Sequence, residues 1–407
     1  MMDTQEKLTI LKKLVEINSV NDNERQVADY LKSLFDKADI KNKIIPLKPR
    51  RADLVAQLGT GKPVLAVSGH MDVVAVDKTK WNSDPFRLTQ DGDRLLGRGT
   101  SDMKGGLAAL VIALLEIKEK KFPFSGTLRF LATAGEEFGQ QGACVLQKQG
   151  WMKDVDTLLI GEPTGYRAVY ANKGEIDLTL KAYGKTAHSS MPTLGQNAIV
   201  NLIGALNQIR ADLKPTLQNH PSPLLGPTYF NLDTITGGRQ INALPAYAES
   251  QINIRTVPQL KNKTIIDHLR QIIQTYNTHH SGEIKSQITM DIVPVAGKKD
   301  SPFVHLIAKI AQPYLKKQLT LPGEKKRLAN FYKKTGIVSP IKNVPQTGLP
   351  YGTDASKLLI DRPIGANYVV FGPGDDNAHQ DNEYVSKTMF LNFCHIYLKL
   401  FLAYLKN

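Results

Sequence analysis

Only two cysteines, Cys144 and Cys394, occur among 407 residues. Two thiols cannot build the disulfide framework of a small secreted scaffold, nor a cysteine-based zinc module. Long apolar runs are scarce too. The longest clean one covers 107–115, well short of the roughly 20 residues a bilayer span needs. The stretch 389–405 is apolar for longer, but Asn392, His395, Lys399 and Ala403 recur in it at helical spacing, which predicts a helix laid on a protein core. The opening residues 1–13 lack the continuous apolar region of a secretory signal, so the expected location is cytoplasmic, with no membrane partner. Neither a Gly-x-Ser-x-Gly elbow nor a His-Glu-x-x-His helix is found, which removes two common hydrolase signatures. Internal repeats and low-complexity segments are lacking as well.

What remains is ordinary globular composition: 42% apolar, 22% charged, with 31 Gly and 22 Pro. At about 150 residues per domain, the length predicts two or three domains. The formal net charge is +14, with Lys and Arg spread along the chain. The densest cluster is Lys325, Lys326, Arg327, Lys333 and Lys334, beside Phe331 and Tyr332. One basic patch without a recognised module does not make a nucleic-acid site. It reads as a solvated face, or as steering for an anionic small substrate.

Residues 4–38 carry apolar positions at helical spacing. Short apolar runs follow, each ending in glycine or acidic residues: 64–67 leads into SGHMD, 127–134 into GEE, 157–160 into GEP, and 368–371 into GPG. Separated by helical stretches such as 103–118, these runs predict buried strands of a mainly parallel α/β sheet. The middle third differs. A strand from Ile176, a helix at 197–213, strands at 228–235 and 247–256, a helix at 264–276 and a strand at 286–295 give the order βαββαβ, a two-layer unit complete in itself. The expected division is therefore a first domain of 1–175 and 296–407, interrupted by an inserted domain of 176–295.

In open α/β sheets, function gathers beyond the carboxyl ends of the strands, and each predicted strand end here carries a reactive group. His70, Asp102, Glu137, Glu162 and His379 offer the imidazole and carboxylate ligands of Zn²⁺ and neighbouring divalent metals, and one bridging carboxylate would let five side chains hold two ions. Asp72, two residues beyond His70, points the same way on an extended backbone and is placed to accept the second imidazole N–H. Glu136, adjacent to Glu137, projects differently and can serve as a general base. Taken singly, each has a structural reading: Asp102 as a helix cap, Glu136 and Glu137 as a solvated loop, Glu162 before Pro163 as a turn. The joint pattern favours the metal site.

The segments SGHMDVV (68–74), GRGTSDMKGGLAA (97–109), AGEEFG (134–139), GEPTG (161–165) and NAHQDNEYV (377–385) resemble the zinc-dependent aminoacylase/desuccinylase/glutamate carboxypeptidase family, in the family's order. The likeness extends to GKTAHSSMPTLGQNA (184–198), GGRQINALPA (237–246) and YGTDASKL (351–358). It implies a dinuclear metallohydrolase domain carrying a lid and dimerisation insert, and hence a homodimer. It further implies two divalent ions, zinc first with cobalt or manganese as alternatives. Asp102 would bridge them, His70 and Glu162 completing one shell, Glu137 and His379 the other. Asp72 would orient His70, and Glu136 would shuttle the proton. His188, in TAHSS, would reach across the dimer to the oxyanion. Arg255 and Asn242 would hold the substrate carboxylate, with Gly352 and Thr353 lining the pocket. The activity implied is hydrolysis of an N-acyl amino acid, N-succinyl-L,L-diaminopimelate first. Other N-acyl amino acids such as acetylornithine, di- or carboxypeptidase substrates, and a noncatalytic binding role are the alternatives.

Segment 318–350 is longer than the family's usual link and reads as a decorated loop. Gly97–Arg98–Gly99 starts like a dinucleotide fingerprint, but Asp102 stands where the third glycine belongs. Gly59–Thr60–Gly61–Lys62 lacks the first glycine of a phosphate loop, and Pro63 replaces its Ser/Thr.

Overall fold

Four strands, Gly126–Thr133, Val64–His70, Thr157–Pro163 and Tyr368–Gly372, are buried along their whole length. Near-continuous apolar sequence is what a strand covered on both faces requires. They lie side by side in that order and run parallel. The computed structural model that shows this describes residues 1–334, 341–375 and 377–406. The expected mainly parallel sheet is a mixed one: its centre is parallel, and antiparallel strands flank it. Arg51–Thr60 pairs antiparallel with Gly126–Thr133, Lys41–Lys48 with Arg51–Thr60, and Ala168–Asn172 with Tyr368–Gly372. The Lys41–Lys48 and Arg51–Thr60 pair was not anticipated.

The chain divides into two compact units. The first comprises Met1–Ala171, Ala296–Thr347 and Thr353–Asn407, and the second Asn172–Val295 with Gly348–Gly352. In the first unit, helix Lys104–Glu119 is buried almost throughout, as expected of a helix apolar on all sides. The C-terminal helix Lys387–Tyr404 packs against it. Asn392, part of the polar stripe read in that helix, is buried and donates to the Tyr166 hydroxyl. Among the described residues, no helix is long and apolar enough to cross a membrane.

The second unit is a four-stranded antiparallel sheet, ordered Tyr229–Gly237, Tyr247–Thr256, Gly174–Tyr183, Glu283–Ile292. Helices Ala198–Gln218 and Asn262–His279 pack with it around a core of its own. The Asn197 side chain caps the first helix, accepting the N–H groups of Ile199 and Val200, which fixes where the strand-to-helix turn ends.

The basic segment 318–350 is not simply a loop. Residues 324–334 form helix Glu324–Lys334, with Leu328, Phe331 and Tyr332 on its buried side. Tyr332 donates to the Gly165 carbonyl, and the Arg167 guanidinium stacks 4.0 Å from the Phe331 ring centre. Residues 335–340 of that segment lie outside the described residues.

Close approach between backbones sets the spacing of the first unit. A Cβ on Gly106 would lie 2.0 Å from the Gly161 carbonyl oxygen, so helix Lys104–Glu119 can approach the strand bearing Glu162 only because residue 106 has no side chain. We expect Gly106→Ala to destabilise the protein by about 1–3 kcal/mol, the usual cost of overpacking. Chemical denaturation of the metal-free protein measures this, and wild-type stability would contradict the argument.

Candidate metal centre

Strand register brings the first two donors together. Ser68 pairs with Ile160 in parallel strands, so His70 and Glu162, each two residues further on, are neighbours on the same face. The His70 Nε2 to Glu162 Oε1 distance is 3.5 Å. On the other side of His70, Thr133 is its ladder partner, and the chain turns there through Gly135, at φ 71°, into Glu136 and Glu137. Asp102 precedes helix Lys104–Glu119, and His379 sits in the turn after Tyr368–Gly372, itself at φ 63°. A left-handed backbone at a non-glycine residue is uncommon and is met at functional sites.

Asp102 is the hub. Its Oδ1 lies 3.0 Å from His70 Nε2, while its Oδ2 lies 3.3 Å from His379 Nε2. His379 Nε2 is also 3.0 Å from Glu137 Oε1. One carboxylate thus faces an imidazole with each oxygen, with a second carboxylate completing each side: Glu162 with His70, Glu137 with His379. Single ligand atoms of His70, Asp102 and Glu137 lie within 4.8 Å of one another, as do those of His70, Glu136 and Glu162. This oxygen and nitrogen donor set fits divalent metal ions. All five ligand candidates read from the sequence are brought together.

Burial and mutual charge shift every group of the cluster. Burial alone would push the His70 imidazole down, but Glu162, Asp102 and Asp72 outweigh it and hold it well above its usual value. His379 is pushed up to about 10 by its bonds to Asp102 and Glu137. Burial opposes ionisation of Asp102, yet the two imidazoles keep its carboxyl below the usual range. Burial raises Glu136 and Glu162 strongly and Glu137 less so.

Asp72 behaves differently from the sequence expectation. His70 Nδ1 donates to the Asp72 main-chain carbonyl at 2.9 Å, whereas the carboxylate is 3.6 Å away. That carboxylate instead accepts three main-chain N–H groups, from Gly135 and Glu136 on Oδ1 and from Glu137 on Oδ2, at 3.0, 3.1 and 3.1 Å. Asp72 therefore orients the imidazole through its backbone and the Glu136–Glu137 turn through its side chain. An extended strand brings residue i+2 to the right side, but register cannot tell which oxygen the imidazole meets.

Three further residues support the site: Asp53 and Glu383 carried no role in the sequence reading, and Asp354 was read only as part of a pocket-lining turn with Gly352 and Thr353. Asp53 accepts the Ala134 N–H at 2.9 Å. Asp354 accepts the Thr133 hydroxyl, and burial raises its carboxyl to about 7. Glu383 binds the turn before Asp102. Two of the three stand inside quoted motifs, YGTDASKL and NAHQDNEYV, so motif position was the available signal. Thr353, next to Asp354, is fully buried, its hydroxyl 3.2 Å from that of Tyr368.

The remaining candidates belong to the second unit. His188 is exposed, with Nδ1 2.7 Å from the Ser190 hydroxyl. Asn242 is exposed, and its main-chain carbonyl accepts the Ser189 N–H. Beside it, Thr186, Gly238, Arg239 and Ala243 help line a cavity of about 600 Å³. Arg255 donates to Glu175 at 2.8 Å and to Asn253 at 3.2 Å. Gly352 belongs to this unit too.

Comparison with known proteins gives a consistent result. Residues 66–403 match the family described as peptidase family M20/M25/M40. A probable succinyl-diaminopimelate desuccinylase of Staphylococcus aureus is 38% identical over 427 residues, covering 99% of this chain and 98% of its own. An acetylornithine deacetylase of Pasteurella multocida is 31% identical over 275 residues, covering 66% of this chain and 71% of its own. Among solved structures, an M20 family metallo-carboxypeptidase from Sulfolobus solfataricus superposes with TM-score 0.73 at 19% identity, covering 99% of this chain and all of its own. A dinuclear metal-binding M20 peptidase of Bacillus subtilis does so with TM-score 0.66 at 15% identity, covering 99% and 98%. These two likenesses concern the fold.

The raised imidazoles yield a prediction with a definite sign. Below about pH 10 an ion-free His379 carries a proton, and a cation must displace it to bind. Affinity for Zn²⁺ should therefore climb as pH rises from about 6 to 8, with protons released on binding. Calorimetry in buffers of different ionisation enthalpy counts them. Binding without proton release would contradict the assigned donors.

Proposed function

The chain belongs to peptidase family M20/M25/M40 and is a metal-dependent hydrolase, and from that premise we propose that it cleaves the amide bond of an N-acyl amino acid, N-succinyl-L,L-diaminopimelate foremost. The observation that carries the reading is the split of the Asp102 oxygens between His70 and His379. The substrate rests on the full-length relative named for desuccinylation, with acetylornithine as the alternative favoured by the second relative.

His70 and Glu162, Glu137 and His379, together with Asp102, would hold two divalent ions, Zn²⁺ first with Co²⁺ or Mn²⁺ as substitutes. When bound, such ions supply Lewis acidity to an amide carbonyl and lower the pKa of water. The rest is done by side chains. Glu136, its carboxyl raised by burial with Asp354, Glu137 and Asp72 nearby, takes the proton of the attacking water and passes it to the leaving amine. A base poised closer to neutrality than an ordinary carboxylate suits both transfers. Succinate and the free diamino acid are the products.

In this reading, the division into 1–175 with 296–407 and 176–295 is one of catalytic domain and lid. Arg255, with one guanidinium nitrogen beyond those given to Glu175 and Asn253, and Asn242 hold the substrate carboxylate. Gly352 lines the pocket, whereas Thr353, fully buried against Tyr368, has no surface to offer it. His188 serves as oxyanion donor from the second copy of a homodimer. Support for a dimer lies in the strand Tyr229–Gly237, an open edge with exposed Tyr229, Leu232 and Ile235. Exposed Val200 and Ile203 on helix Ala198–Gln218 add to it, since such a surface invites strand-to-strand association. The location is taken as cytoplasmic.

Two outcomes test this reading. Among succinyl-diaminopimelate, acetylornithine and dipeptides offered to the Zn²⁺-loaded protein, the first should turn over fastest, and Glu136→Ala should abolish turnover while keeping its metal content. Turnover of acetylornithine alone would replace the substrate and leave the chemistry; an active Glu136→Ala would end the mechanism. Separately, His188→Ala and Glu136→Ala, each inactive alone, should regain activity when mixed as heterodimers, at up to about half the wild-type activity per dimer, because one of the two sites is then intact. Failure to complement would place His188 outside the shared site.

A further inference from the structure

Glu383 is fully buried, four residues after His379, and lies outside the ligand set. Its carboxylate is consumed by the turn that delivers Asp102. Oε2 accepts the Gly99 N–H at 3.0 Å and the Arg98 guanidinium at 2.7 Å. Oε1 accepts the Ser101 N–H at 2.7 Å and the Asp102 N–H at 2.9 Å. A carboxylate holding three main-chain donors and an arginine is a charge-assisted anchor, stronger than neutral hydrogen bonds. The main chain adds to it. The Glu383 carbonyl accepts the Gly97 N–H at 3.0 Å, and Tyr384–Ser386 pairs antiparallel with Arg94–Leu96. On the other side of His379, the Asp375 N–H donates to the Ser101 hydroxyl at 3.1 Å.

The segments bearing Asp102 and His379 are thus fastened to each other on both sides of His379, although 277 positions separate the two residues in sequence (379 − 102). His70 and Glu162 need no such device, because they stand on neighbouring buried strands. His379 does need it: its side chain is 53% exposed and it sits in a turn.

We propose that Glu383 is a positioning residue that sets Asp102 against His379 and so governs occupancy of the ion position these two share with Glu137. The proposal rests on the two-ion reading. Removing the anchor frees the Asp102 turn and the His379 turn together, so that position loses two of its three ligands' placement. The position of His70 and Glu162 loses one. Supporting groups around ligands typically alter metal affinity about 10- to 100-fold.

The test is a titration of the metal-free full chain with Zn²⁺, repeated with Co²⁺ so that absorption reports coordination. Wild type should take up two ions. Glu383→Gln, which keeps the shape but turns donors toward donors, should bind the first ion with little change and the second about 10- to 100-fold more weakly. Its kcat should fall at limiting metal while KM stays near wild type. Glu383→Asp, which keeps the charge, should recover part of the loss. Arg98→Gln leaves the three main-chain donors in place and should weaken the same second ion by a smaller factor; it carries the test if Glu383→Gln does not fold. Wild-type affinity for both ions in a folded Glu383→Gln, or in Arg98→Gln where that variant carries the test, would overturn the proposal, even if melting temperatures fell, because that is what a merely structural role produces. A wild-type chain that takes up fewer than two ions would overturn the two-ion reading itself.

Discussion

Negative charge gathered where water barely reaches is the constraint from which the rest follows. Asp102, Glu136, Glu137 and Glu162 crowd around one buried imidazole, and Asp53, Asp72, Asp354 and Glu383 stand behind them. Uncompensated, such a cluster would be prohibitively costly in a low-dielectric interior. The rear carboxylates are answered by the protein: Asp72 by three main-chain N–H groups, Glu383 by three and an arginine, Asp53 by one. Among the described residues, the front carboxylates face one another, two imidazoles and, at Glu136, the Gln140 amide at 3.4 Å. Lys104, buried close by, turns its ammonium to the Ile17 carbonyl instead. Among the described residues no lysine or arginine forms an ion pair with this front row, so it is a candidate binding site for cations rather than a structural salt-bridge cluster.

Four parallel strands make such crowding possible. Parallel strands end at one edge of the sheet, so their carboxyl ends bring His70, Glu162 and the turns after Thr133 and Gly372 to one place. Close backbone contacts keep the distances. A Cβ on Gly372 would lie 2.1 Å from the Gly161 carbonyl oxygen, much as one on Gly106 would. Ligand placement is therefore set by main-chain packing, and the side chains need only reach a short way.

Much of this was legible beforehand. Strands buried on both faces have to be written as unbroken apolar runs, and metal ligands come from a short list of side chains, so the four strand ends and the five candidate ligands stood out together. The inserted βαββαβ order was legible because alternation and helical periodicity are local properties. What escaped was non-local. Arg51–Thr60 carries Arg51 and Asp53 inside a buried strand, and their partners Glu24 and the Ala134 N–H lie far away in sequence. Helix Glu324–Lys334 shows just three inward residues, Leu328, Phe331 and Tyr332, among lysines, and only their contacts with Gly165 and Arg167 reveal why it forms. The side chain of Asp72 was read as serving His70, since sequence gives the face a residue occupies and not the partner it meets there.

The two halves of the candidate ligand set are unequal, and under the proposed function access to the site accounts for the inequality. His70 is 1% exposed and Glu162 5%, both on strands, whereas the His379 side chain is 53% exposed in a turn. A site closed on all sides would hold its ions well and admit nothing. In the proposed function, one ligand placed at the surface would open the cluster to a substrate, at the expense of rigidity on that side. The protein restores the rigidity from beneath, through the ladder of Tyr384–Ser386 with Arg94–Leu96 and the buried Glu383 carboxylate. Exposure and order at His379 are thus reconciled by separating the group that meets solvent from the group that holds it in place.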